Sequence, residues 1–351
     1  MRIRFLTSTP LDISRGSGTY VGMHVLARAL EALGHTVDFE MPRLSFPLPV
    51  YTAERLVFNH RLRPRPDYSL TVGFDMDGYR IAADARHVAS LKGVIADEMR
   101  FESGFTRLTM GVQARCERLH ARRAARVVVT SRYSADRARE YYGLERLPAV
   151  VPELIDLAEW RKRLAEASGR PHHRFRVLFV GRFYRRKRVD VLLRAAAALS
   201  ARIPNLELRI VGNGPCAVDW QALARDLKLG GAVTWLGDIS RSQLVDEYRT
   251  CDLFCLPSVQ EGFGIVLLEA MAAGKAIVAS RAAAIPEVVP HGLLVEPDSA
   301  EALAAAIEEL YQSPAKRAEL GRAGAQWVEQ FDAPRVARLF VEAVRGVATG
   351  L

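Results

Sequence analysis

The hydrophobic run 252–256 stops at Pro257. A loop holding Gly262 and Gly264 then leads into a helix-forming run that ends at Gly274. This strand–loop–helix order, broken by a proline and closed by a C-cap glycine, constrains the fold more than any other stretch. The same alternation recurs along the chain. Strand-like runs at 2–8, 69–74, 87–91 and 127–131 alternate with helix-forming runs at 21–33 and 111–126, and the second half repeats the rhythm from Phe175 onward. Strands that alternate with helices predict parallel sheets covered on both faces, and 351 residues suffice for two such domains.

Two carboxylates occupy this key stretch. Glu261 lies in the loop just before the helix N-terminus, and Glu269 lies inside the helix. Eight residues of helix span about 12 Å, close to the separation of the sugar and ribose ends of a bent nucleotide-diphosphate sugar. The amides of Phe263, Gly264 and Ile265, at the positive helix end, can donate to hydroxyl or phosphate oxygens. A plainer reading has Glu261 favouring the helix dipole and Glu269 on a solvated face. Alanines and a methionine flank Glu269, however, and a carboxylate in an apolar helix needs a partner.

The stretch 257–275 resembles the E-x7-E signature of retaining family-4 glycosyltransferases, which have the GT-B fold: two doubly wound Rossmann-like domains facing a central cleft, with a C-terminal helix crossing back to the first domain. The resemblance implies donor-sugar contact for Glu261 and ribose contact for Glu269. It is also carried by Gly181-Arg182 followed by Lys187, which implies that Arg182 and Lys187 clamp the diphosphate. Two cations at a strand's carboxyl end can neutralise a leaving diphosphate without a metal. Arg185, Arg186 and Arg188 read as solvated neighbours. Ile239, after the run 233–239, is the implied base contact, and Gly16 and Gly18 of the first loop are implied donor contacts beside the diphosphate.

The first half departs from that pattern. Many relatives place a histidine after the fourth strand, where this chain has Lys92-Gly93, and the usual Pro-Asn-Gly at the domain crossing is Pro152-Glu153-Leu154. Asp75, Asp77, Lys92, Asp97 and Glu98 are the acceptor-side candidates, because active residues gather at the carboxyl ends of strands in doubly wound sheets. Asp75 and Asp77 fit an Asp-Gly turn equally well. Residues 42–66, punctuated by five prolines, read as a surface excursion, either a spacer or an acceptor-facing flap.

Charge and cysteine content narrow the class. Residues 1–150 carry 23 Lys and Arg against 16 Asp and Glu, and the remainder 26 against 24, so the basic character sits in the first half. Arg115, Arg118, Arg122 and Arg123 fall three or four apart on one helix, either as a solvated face or as an attraction for phosphate or phospholipid. Cys251 and Cys255 flank a buried-strand pattern and read as small core residues. No signal-peptide layout or spanning run is visible, which predicts a cytoplasmic protein, with peripheral contact to an acidic inner membrane face as an option.

The expected organisation is an acceptor-side domain at 1–156, a linker at 157–173, a nucleotide-sugar domain at 174–331, and a returning helix at 332–351. The expected function is retaining hexose transfer from an NDP-sugar, UDP- or GDP-linked, to a lipid-linked, glycan or small-molecule acceptor, with no cofactor and no metal. A noncatalytic nucleotide-sugar binder is the alternative. A hydride-transferring dehydrogenase would need Gly-x-Gly-x-x-Gly after the first strand, which is absent. A nucleic-acid partner is not expected, because the basic balance comes without a stacking-aromatic motif.

Overall fold

The computed structural model describes residues 1–9, 18–42, 51–167, 169 and 172–347. The chain forms two compact units, Met1–Leu154 with Ala333–Leu351, and Ile155–Asp332.

In the first unit, strand β1 (Arg2–Leu6) leads to helix α1 (Gly18–Ala32) and β2 (Thr36–Glu40). Helix α2 (Tyr51–Arg61) precedes β3 (Leu70–Phe74) and β4 (His87–Leu91). Helices α3 (Ile95–Glu98) and α4 (Gly104–Arg123), then β5 (Arg126–Val129), α5 (Arg132–Tyr142) and β6 (Ala149–Val150), complete this run. All strands pair in parallel, in the order β2-β1-β3-β4-β5-β6. Strands β3 and β4 are buried throughout, as expected when both faces of a parallel sheet are covered.

One sequence expectation changes here. The proline-bracketed segment contains α2, whose inner face buries Glu54, Arg55, Phe58 and Asn59. The prolines flank the helix instead of interrupting it, so this part of the segment is packed and not a surface excursion. Ser131 is the N-cap of α5: its side chain accepts from the Ser134 amide at 3.0 Å.

The second unit opens with α6 (Leu157–Glu166) and β7 (Phe175–Val180). It continues through α7 (Val189–Leu199), β8 (Leu206–Val211), α8 (Ala217–Asp226), β9 (Val233–Gly237) and α9 (Arg241–Thr250). After β10 (Leu253–Leu256) come α10 (Ile265–Ala272), β11 (Ala276–Ser280), α11 (Ile285–Val288) and β12 (Leu293–Val295). Helices α12 (Ala300–Gln312) and α13 (Pro314–Trp327) finish the unit. The order β12-β11-β10-β7-β8-β9, all parallel, is the doubly wound arrangement whose chain reverses direction between β7 and β10.

The expected linker at 157–173 is therefore not one over its first ten residues. Asp156 caps α6 by accepting from the Glu159 amide at 2.9 Å, and Leu157 and Trp160 are buried in the core of the second unit. The segment's polar composition hides two large apolar side chains three residues apart on one helix face. At the other end, α14 (Ala333–Ala343) belongs to the first unit, where Val336, Ala337 and Phe340 share a core with Met23, Leu26 and Leu30 of α1. All four cysteines are free and buried.

Candidate functional site

Ligands of open α/β sheets bind outside the carboxyl ends of the strands where the winding reverses. In the second unit that place lies between β7, which runs into Gly181-Arg182, and β10, which runs into 257–264. The loop after β7 is held from two sides. Gly212, at φ +121°, lies so close that a Cβ there would come within 2.0 Å of the Gly181 carbonyl oxygen, so only glycine fits. The Phe183 amide donates to Asn213 O at 2.9 Å, and the Val259 amide donates to Arg186 O at 2.9 Å. The second bond joins the two strand-end loops directly.

Across this junction Lys187 Nζ meets Glu261 Oε1 at 2.6 Å, with both side chains largely buried. Two residues 74 apart in sequence, singled out for separate ends of the reaction, thus form one ion pair. Arg182 is half-buried and its guanidinium has no carboxylate partner among the described residues, so its charge is free for an incoming anion. Arg185 is exposed. Arg188 is not a solvated neighbour: it pairs with Asp190 at 3.0 Å and also with Asp298, and at φ +50° it turns the chain into α7. Arg186 lies 5.0 Å from the Tyr184 ring centroid, a cation–π contact that also takes it out of the solvated set.

The loop after β10 enters α10 through Gly264, whose φ of +91° needs glycine. The amides of Phe263, Gly264 and Ile265 donate to no protein group among the described residues, so the helix end presents three donors. Phe263 packs its ring edge-to-face on Phe331, at 5.5 Å between centroids, which anchors the loop to the core. Ser258 is fully buried, and its hydroxyl has no hydrogen-bond partner among the described residues.

Glu269 does not lie on a solvated face. It is buried, with Oε1 accepting from Arg241 Nη1 at 2.5 Å and Oε2 from the Tyr248 hydroxyl at 3.0 Å. Arg241 in turn stacks 4.4 Å from the Trp160 ring centroid. Burial drives the Tyr248 hydroxyl well above the ordinary tyrosine pKa, and the neighbouring carboxylate adds to this. A carboxylate has about four acceptor sites, and these two bonds use two of them. Arg241, Tyr248 and Trp160 were missed by the sequence reading. A signal existed, since Arg241 and Tyr248 stand seven residues apart, two turns along one face of α9. Ile239 packs its side chain partly against the core of this unit.

In the first unit the acceptor-side candidates separate into two kinds. Gly16 lies outside the described residues, and Gly18 is the first residue of α1. Asp77 is fully buried, and its carboxylate accepts from the Ser8 amide and hydroxyl, Asn59 Nδ2 and Arg55. It ties the segment after β1, α2 and the end of β3 together as a structural hub. Lys92 forms a buried pair with Glu153 at 3.0 Å, over the Phe74 ring. Asp97, also fully buried, accepts from the Tyr133 hydroxyl at 2.6 Å and pairs with Arg100. The Glu98 carboxyl folds over Gly93, where a Cβ would meet Oε1 at 2.3 Å. Asp75 is the exception. It is only half-buried and accepts from the Lys92 amide at 2.8 Å, and desolvation pushes its carboxyl up to about 6.

Two parallel doubly wound sheets of six strands each are the arrangement of the GT-B fold. Solved structures agree on the fold. Sucrose-phosphate synthase from Thermosynechococcus elongatus superposes with a TM-score of 0.76 at 23% identity, covering 98% of both chains. Anabaena HepE, solved with UDP and glucose, superposes with a TM-score of 0.72 at 19% identity over 99% of this chain and all of that one. Residues 161–327, nearly all of the second unit, match the family model "Glycosyl transferases group 1". A D-inositol 3-phosphate glycosyltransferase of Pseudarthrobacter chlorophenolicus is 33% identical over 232 residues, 62% of this chain and 55% of that protein. The match thus spans about half the length of that relative.

Proposed function

We propose that the protein is a retaining hexosyltransferase that uses a nucleoside-diphosphate sugar and needs no metal. The observation that carries this reading is the Lys187–Glu261 pair at the reversal point of the second sheet, in loops that also carry Arg182, without a carboxylate partner among the described residues, and the amides of 263–265. In the proposed reaction the bond between the sugar anomeric carbon and the diphosphate oxygen breaks, and the diphosphate leaves with the electron pair. The acceptor hydroxyl forms the new bond on the same face, and its proton passes to the leaving phosphate oxygen. Arg182, Lys187 and the amides of 263–265 favour the added charge on that oxygen. Glu261 holds the sugar, and Glu269, set by Arg241 and Tyr248, receives the ribose hydroxyls. The likeness to a structure holding UDP and glucose favours a UDP-hexose as donor, with a GDP-hexose as the alternative. Of the acceptor-side residues, Asp75 keeps the character needed to meet an acceptor hydroxyl.

Titration calorimetry with UDP-, GDP- and ADP-hexoses, followed by nucleoside-diphosphate release with and without EDTA, tests this reading. One donor should bind and be turned over in EDTA. Failure of every donor to bind would refute it. Turnover abolished by EDTA and restored by magnesium would refute the metal-free clamp, and binding with no release under any condition would leave a noncatalytic binder.

A further inference from the structure

Helix α4 is 20 residues long, about 30 Å, and its two faces differ in kind. The inner face holds Ala114, Cys116, Glu117, His120 and Ala121, all buried. The outer face carries Phe105, Leu108 and Leu119, which are 64%, 67% and 42% exposed. Arg107, Arg115, Arg118, Arg122 and Arg123 share that outer side and are exposed. None of these five arginines has a carboxylate partner among the described residues. The helix's one acidic residue, Glu117, is fully buried and turned inward. A surface helix that only needs solvation mixes both charge signs and keeps large apolar side chains off its outer face. This one shows a single sign, interleaved with three large exposed hydrophobics.

No helix among the described residues is long and apolar enough to cross a membrane, and α4, with five outward arginines, lies far from that class. Its pattern is that of a helix lying in a lipid–water interface. Apolar side chains enter the acyl boundary while cations meet phosphate headgroups. We infer that the outer face of α4 docks the protein on an anionic lipid bilayer, with Phe105 and Leu108 inserted and Arg107, Arg115, Arg118 and Arg122 on the headgroups. The charge complementarity selects anionic lipid, and the exposed phenylalanine and leucine select a bilayer over a soluble polyanion, which offers them no apolar phase. This surface stands on its own observations and does not depend on the transfer reaction proposed above.

Vesicle co-sedimentation of the full chain, with phosphatidylcholine vesicles and with vesicles containing 30% phosphatidylglycerol, tests it. Binding should appear with the anionic vesicles and weaken steeply as salt is raised. Replacing Arg115, Arg118 and Arg122 by Gln together should lower partitioning roughly a hundredfold, at about fivefold per arginine. Phe105→Ser with Leu108→Ser should lower it about tenfold while leaving the net charge intact. All of these side chains are exposed, so unchanged thermal unfolding of the variants separates lost docking from lost folding. No binding to anionic vesicles, or binding unaffected by the Phe105/Leu108 change, would overturn the proposal. So would retention on a heparin column combined with indifference to vesicles, since that would make the strip a site for soluble polyanions.

Discussion

The Glu269–Arg241 pair is asymmetric, and the asymmetry has a measurable consequence. Glu269 is 5% exposed at its side chain and Arg241 25%. In Glu269→Gln the Tyr248 hydroxyl keeps the Val266 carbonyl oxygen at 3.2 Å, and Arg241 keeps water and the Trp160 face. The loss is one charge-assisted hydrogen bond, about 1 to 2 kcal/mol. In Arg241→Met the stem packing survives, but the nearly inaccessible Glu269 carboxylate is left without its counter-charge. Breaking a buried pair in this direction costs about 3 to 5 kcal/mol. For a unit of this size each kcal/mol lowers the melting temperature by about 2 to 4 °C, so the Arg241 variant should lose roughly 6 to 20 °C and the Glu269 variant roughly 2 to 8 °C. Differential scanning calorimetry of both single variants and the double variant, without nucleotide, measures this, and the double should be less damaged than the sum. An Arg241 variant as stable as the Glu269 variant, or strictly additive effects, would refute the reasoning. In nucleotide titrations, Glu269→Gln should also weaken nucleoside-diphosphate affinity. Unchanged affinity would remove the ribose role while leaving the stability argument in place.

Two further outcomes follow from charge placement. Arg182→Ala and Lys187→Ala should each cut turnover roughly a hundredfold to a thousandfold, more than they weaken donor binding, because the leaving oxygen gains charge only as the bond breaks. Arg185→Ala, at an exposed position in the same loop, is the charge-matched control, and an equal loss there would point to general positive potential. In the first unit, His87 Nε2 meets His120 Nε2 at 2.7 Å, and burial pulls His120 down to about 4 and His87 well below its ordinary value of 6.5. A histidine depressed in this way contributes stability above pH 6.5 that is lost as pH falls toward 4, on the order of 3 kcal/mol from His120. Asp75, raised to about 6, acts in the opposite sense between 3.8 and 6 and offsets part of this. Glu117, raised well above 4.5 by burial, acts in the same sense as Asp75, so the buried histidine pair is read as a difference: on acidification through pH 6.5 to 4, His87→Gln should lose less unfolding temperature than the unaltered protein. Parallel profiles for the two proteins would contradict the assignment.

The parallel alternation was legible because period and punctuation agree: Pro257 ends one strand, Gly274 ends the following helix, and the same marks recur in both halves. Glu261 and Lys187 were candidates because the stretches that carry them resemble the family-4 pattern. Their mutual pairing was not, since it joins residues 74 apart and depends on which strands are neighbours. Nor did sequence reveal that Asp77 is a hub. Its partners Ser8, Arg55 and Asn59 come from two other elements, and an Asp-x-Asp-Gly looks the same whether its carboxylate faces water or a buried guanidinium. Helices α2 and α6 were misread for a common reason. Proline and polar content describe the ends and outer faces of a short helix, while Phe58 and Trp160 on the inner faces decide whether it packs.

The claim at the centre of this account is that sugar leaves a nucleoside diphosphate at the Lys187–Glu261 junction with its configuration kept. Proton NMR of the first-formed product, from the donor that calorimetry selects, measures this directly. An axial anomeric bond in the donor should reappear axial in the product or in freshly released sugar, and the signal should fall to background in Lys187→Ala. An inverted anomeric signal, or full turnover without Lys187, would contradict it.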